Sequence, residues 1–343
     1  MFPKTQKMMT FKTKGTSTAA ALALTVSLVS ACTQPPPTTE AKGLKVVATT
    51  TILCDLTKQI AGDTVDLTCL LKPGVDGHTY EPVPEDRKAI ETAQLILYSG
   101  YDFEPSIIKL VSSTSNQAPK IAVAERAIPK PLMGEEHHHE HETHEPEEKE
   151  ASEAVPDPHV WQAAQNGVQM VKIIGQELGK LAPEQARVYA QNAQILEAEL
   201  GEIDSWIKSQ IATIPPTARK LVTTHETMGY YGAAYGIAVK GALQGVSTEE
   251  KPTAARVKEL VDSLEGFGVP TIFAEVVVNP KLLEKVAKEA KVKISQRPLY
   301  SDSLGEPGSE GDRYQKMLIA NTRTIVEGLG GKYTPFQPQR KKG

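Results

Sequence analysis

One segment limits the possible folds more than any other. Residues 184–214 carry no proline and a single glycine, Gly201. Leu196, Leu200, Ile203, Ile207, Ile211 and Ile214 recur at three- and four-residue steps, which puts them on one face of an α-helix. Pro183 opens the segment and Pro215-Pro216 ends it. At the α-helical rise such a helix is about 45 Å long, enough to run the height of two lobes and join them.

Strands alternate with helices on both sides of it. Short β-branched or apolar runs at 44–50, 65–71, 95–99 and 120–124 predict strands. Helical spacing at 52–61, 84–93, 103–112 and 165–181 predicts the helices between and after them. The second half repeats the pattern, with strands at 220–224, 238–243, 271–274 and 292–295. Its helices are expected at 252–266, 280–290 and 312–329. This alternation means α/β architecture with parallel strands. In such sheets ligands sit beyond the carboxyl ends of the strands. His78 follows the second strand and His225 ends the first strand of the second half.

The chain has only 8 histidines. His137, His138, His139, His141 and His144 cluster among glutamates, His159 stands between Pro158 and Val160, and His78 and His225 are isolated. Imidazole is the commonest protein ligand for zinc-like metals, so this distribution points to metal handling. The His/Glu run has too little apolar surface to offset its ordering entropy, so 134–157 is expected to be a disordered loop able to bind metal weakly.

The N-terminus reads as an export signal. Lys4, Lys7, Lys12 and Lys14 precede an apolar stretch at 19–29 that is too short to span a bilayer. Val29-Ser30-Ala31-Cys32 resembles a bacterial lipobox. That predicts a lipoprotein signal peptide at 1–31, a lipid anchor at Cys32 and an extended tether at 32–43; a soluble export signal cut nearby is the alternative. Cys54 and Cys69 would then meet an oxidising compartment. A bond between them would stabilise the fold by roughly 3 kcal/mol, but sequence leaves open whether their Cβ atoms face each other. The formal net charge of −4 comes with no basic stripe, so no nucleic-acid partner is expected.

Four motifs together resemble a known family. H-T-Y-E-P at His78, D-P-H-V-W at His159, H-E-T-M-G-Y-Y-G at His225 and L-Y-S-D-S-L at Asp302 look like the ligand motifs of cluster A-I (ZnuA/TroA-type) zinc and manganese receptors of bacterial ABC importers. S-T-E-E-K-P-T from Ser247 matches a further family segment. The resemblance implies two Rossmann-like lobes, 44–183 and 215–343, joined by the helix 184–214, with one metal in the cleft held by His78, His159, His225 and Asp302. It also implies an extracytoplasmic, monomeric receptor that hands a divalent ion to a membrane permease. Zinc-type members often carry a His-rich loop before the second ligand, as here. One departure is Gln162-Ala163, where the family has Asp-Pro after the second motif.

Three imidazoles and one carboxylate favour zinc over manganese, and manganese-type members commonly carry a carboxylate at the third position. Zn2+ is therefore the expected cargo and Mn2+ the runner-up, with Glu226 as the neighbouring carboxylate. Asp302 could instead cap a turn. Glu275 is either an orienting partner of a ligand imidazole or a plain surface residue. Tyr230, Tyr231 and Tyr235 are expected to pack. A zinc hydrolase is disfavoured: H-E-T-M-G has Gly229 where a second histidine is needed. A surface metal buffer or adhesin stays open.

Overall fold

The computed structural model describes residues 43–136, 153–249 and 251–338. The expected signal peptide, the tether up to residue 42 and the clustered histidines 137–144 lie outside these residues. The N-terminal lobe is a four-stranded parallel sheet in the order β2-β1-β3-β4, built from β1 (Leu44–Ala48), β2 (Val65–Cys69), β3 (Leu95–Tyr98) and β4 (Lys120–Ala122). Val46 pairs with Leu67 on one side and Leu95 on the other. Crossovers are α1 (Thr51–Ala61), α2 (Pro84–Thr92) and α3 (Pro105–Ser113). Thr50 caps α1 through its hydroxyl on Leu53 N–H (3.2 Å), and Gly62 ends it at φ 58°. Cys54 of α1 and Cys69 of β2 are joined by a disulfide, their Cα atoms 5.7 Å apart.

The sheet's last strand is shorter than expected. At Val123 the chain turns into a five-residue helix, α4 (Val123–Ala127), where sequence extended the strand to 124. The disordered loop expected at 134–157 is also corrected at both ends. β5 (Met133–Glu136) pairs antiparallel with β6 (Glu153–Pro156), Gly134 opposite Val155. A composition argument misses this because backbone pairing and contacts to the rest of the chain, not the stem's own apolar surface, order it.

α5 (Ala164–Leu181) leads into α6 (Ala186–Ile211), the long joining helix. Its 26 residues span about 39 Å. It is shorter than predicted because Ala212–Ile214 tighten into turns before the proline pair. Tyr189, Ala193, Leu196, Leu200, Ile203, Ile207 and Ile211 are its buried stripe. α5 packs along it, and Ala193 Cβ lies 3.2 Å from where a side chain at Gly175 would begin. That core cluster runs on through α1, α5 and the closing helix without interruption.

The C-terminal lobe repeats the parallel pattern. β7 (Lys220–His225) leads into α7 (Gly229–Tyr235), a helix the sequence reading did not anticipate, then β8 (Ala238–Gln244), α8 (Ala254–Phe267), β9 (Thr271–Ile272), α9 (Lys281–Glu289), β10 (Lys293–Ile294) and α10 (Tyr314–Gly328). β7 pairs with β8 and β9 with β10, both parallel. Phe273 N–H donates to Val222 O (2.9 Å), which ties the two pairs together. The chain is thus two α/β lobes bridged by a single long helix.

Candidate metal centre

The four residues singled out in the sequence stand at or beyond strand ends, and the three histidines are fixed by their own backbone N–H. His78 lies in the loop after β2, its N–H bonded to Asp76 Oδ1 (3.0 Å). His159 follows β6, its N–H bonded to Asp157 Oδ1 (2.9 Å). His225 is the last residue of β7; its N–H and that of Thr224 both donate to Glu275 Oε1 (3.0 and 2.8 Å). Asp302 lies in the loop from β10 to α10, just after Leu299 bridges to Glu275.

The fold brings all four together. One donor atom from each lies within 4.8 Å of the others, and all four side chains are buried. His159 Nε2 is 3.4 Å from His78 Nε2 and 3.3 Å from His225 Nε2. Asp302 Oδ1 lies 3.3 Å from His159 Nε2, and Asp302 Oδ2 lies 3.2 Å from His225 Nε2 and 4.0 Å from His78 Nε2. Asp302 is not a turn cap, since neither carboxylate oxygen has a hydrogen-bond partner among the described residues. The far side of two rings meets a carboxylate: His159 Nδ1 is 2.8 Å from Asp157 Oδ1, and His225 Nδ1 is 2.5 Å from Glu275 Oε2. A carboxylate there fixes the tautomer that leaves Nε2 free for a metal.

Burial alone would lower the His225 value, but Glu275 and Asp302 hold it well above the ordinary histidine range. His159 is likewise raised: Asp157 and Asp302 outweigh its burial. His78 has no such backing, and burial, aided by the two neighbouring imidazoles, pushes it down to about 3. Asp302 would rise on burial, yet His225 and His159 hold it well below the usual carboxylate range. The centre is therefore a buried cluster in which one carboxylate, Asp302, faces three imidazoles, a donor set that could hold a cation.

Four supporting residues escaped the sequence reading. Asp157 was visible only as part of D-P-H. Phe103 packs edge-on against His78, ring centroids 4.8 Å apart, and equally against Trp161. Trp161 Nε1–H donates to Ser301 O (2.8 Å), beside Asp302. Gln162, where the family pattern differs, is fully buried and donates to the same carbonyl (2.7 Å). Glu275 is buried and orienting, so the surface alternative for it is excluded. Tyr231 and Tyr235 do pack, with ring centroids 4.7 Å apart.

A family model described as ZnuA, zinc-uptake complex component A periplasmic, matches residues 46–328. The chain belongs to the ZnuA family. Among similar proteins is the manganese-binding lipoprotein MntA of Bacillus subtilis, 33% identical over 316 residues, covering 91% of this chain and 98% of that one. The manganese ABC transporter substrate-binding lipoprotein PsaA of Streptococcus pneumoniae is 32% identical over 310 residues, 89% of this chain and 95% of the other. Among solved structures, the periplasmic zinc binding protein TroA of Treponema pallidum superposes with a TM-score of 0.74 at 31% identity, covering 84% of this chain and 99% of that chain. Family membership makes this chain a metal-binding substrate receptor of an ABC transporter, working outside the cytoplasm, and not an enzyme. Among the described residues no helix is long and apolar enough to cross a membrane.

Proposed function

We propose that this receptor captures zinc through His78, His159, His225 and Asp302 and delivers it to its permease from a lipid anchor at Cys32. The observation that carries this reading is the spacing of the donor atoms. Zinc–nitrogen bonds of tetrahedral sites imply a donor–donor edge of about 3.3 Å. With Asp302 Oδ2 as the single carboxylate donor, the two imidazole–imidazole separations and the one to His225 fall between 3.2 and 3.4 Å, and the one to His78 is 4.0 Å. Three imidazole nitrogens also suit zinc better than manganese, which prefers oxygen. Four protein donors close the shell and leave no position for a reactive water.

A manganese receptor is the second reading. The named manganese-binding relatives favour it, as does the Asp302 carboxylate, both of whose oxygens face imidazole nitrogens and so permit a five-donor shell. Competition titration of metal-free protein with zinc and manganese separates the two. We expect zinc to displace manganese, His225→Ala to weaken zinc severely and Glu226→Ala to do little. Manganese binding as tight as zinc, with binding lost in Glu226→Ala, would refute the zinc assignment.

A further inference from the structure

The β5–β6 stem leaves the N-terminal lobe after α4 and comes to rest on the C-terminal lobe. One side chain holds its base. Tyr230 Oη, from α7, accepts the Leu132 N–H (3.0 Å) and donates its own hydrogen to the Asp157 carbonyl (3.2 Å). Those two residues close the hairpin on each other through Asp157 N–H to Leu132 O (2.8 Å). Tyr230 is buried, and burial pushes its phenol far up, so it stays a donor at any physiological pH.

Two glycines let the stem lie flush. A Cβ at Gly134 would collide with Val246 Cγ1 of the C-terminal lobe, and a Cβ at Gly229 would stand 2.5 Å from Asp157 Oδ2. The base of the stem is also the support of the metal centre: Asp157 accepts both the N–H and the Nδ1–H of His159 on one oxygen. A contact made by the C-terminal lobe thus reaches an imidazole that the preceding half of the chain supplies.

We propose that Tyr230 is a positioning residue for metal retention: it straps the β5–β6 stem across the lobes and, through Asp157, holds the His159 ring in its binding orientation. This rests on His159 being a ligand. Loss of the strap leaves Asp157 and His159 free to turn together, so the ion loses one donor at a time and leaves faster.

The experiment measures zinc release from the zinc-loaded full chain into excess chelator by stopped flow. The slowest phase is assigned to the centre by its absence in His225→Ala. Tyr230→Phe should accelerate that phase roughly ten-fold, which corresponds to ~1.4 kcal/mol. Gly134→Ala, which wedges the stem away, should do the same, and Gly134→Ala/Val246→Ala should restore slow release by removing the collision. A residue that merely packs would lower the melting temperature of the metal-free protein and leave release unchanged. Release within about two-fold of wild type in Tyr230→Phe and Gly134→Ala overturns the proposal. So does failure of the double variant to restore slow release when Val246→Ala alone releases normally. Survival of the slow phase in His225→Ala would instead sink the ligand assignment.

Discussion

Replacing Glu104 with glutamine tests whether a buried carboxyl at the start of α3 is kept protonated by its surroundings. Glu104 precedes α3, next to Phe103, and is fully buried. Its Oε1 accepts the Thr49 hydroxyl and the Ser99 N–H, each at 2.7 Å. Its Oε2 has no partner among the described residues. Burial pushes its pKa from 4.5 up to about 7, with those two hydrogen bonds offsetting only part of the rise. A carboxyl with a raised value binds its proton more tightly folded than unfolded. Its contribution to stability is fully present below about 4.5 and is lost as pH climbs to and through about 7. The size of the loss is on the order of 3 kcal/mol. Glutamine keeps an acceptor for Thr49 and Ser99 and cannot ionise. Relative to wild type, Glu104→Gln should therefore gain stability between pH 5 and pH 8, a change of about 5 °C in melting temperature for a domain of this size. Thermal unfolding of both proteins, metal-free and in chelator, measures the difference, and other titrating groups cancel in the subtraction. An offset between the two proteins that is the same at both pH values would refute the reasoning.

Three further outcomes are expected. Zinc loading at neutral pH should release about two protons, from His159 and His225, because His78 is already neutral; calorimetry in buffers of different ionisation enthalpy counts them, and Glu275→Gln should lower the count. Deleting residues 137–150 should abolish weak zinc binding and keep one tight site, read by equilibrium titration; loss of the tight site would mean the loop supplies a primary ligand. Cys32→Ala should move the mature protein from the membrane fraction to the soluble one, and unchanged retention would contradict the lipid anchor.

The strand–helix alternation and the long helix were legible because apolar spacing alone specifies them, and the helix stripe at Leu196 to Ile211 is buried as its periodicity demands. His78 and His225 were findable because each stands at or just past a strand end, where α/β folds place ligands, and His159 and Asp302 through the motifs that resemble the family. What supports them was not. Glu275 stayed open between an orienting partner and a surface residue because it reaches His225 from 50 residues away, and Asp157, two residues before His159, stood inside D-P-H with nothing to say that its carboxylate turns back onto the ring. α7 went unread because G-Y-Y-G-A-A-Y contains glycines that disfavour a helix in isolation; burial of Tyr230, Tyr231 and Tyr235 overrides that preference. The hairpin stem was hidden inside an acidic run whose composition, averaged over its whole length, speaks only of solvation.

The loop that presents Asp302 is also a junction. Ser301 O receives Trp161 and Gln162, Ser303 Oγ receives Gly74 N–H (2.9 Å), Leu304 N–H reaches Thr51 (2.9 Å), and Tyr300 exchanges two hydrogen bonds with Asn321 of α10. Segments of both lobes therefore hang on five consecutive residues. A cation that draws the Asp302 carboxylate toward itself pulls on all of them at once. A change at any of these anchors is therefore felt at the Asp302 carboxylate, whose position is a property of how both halves of the chain close on this loop.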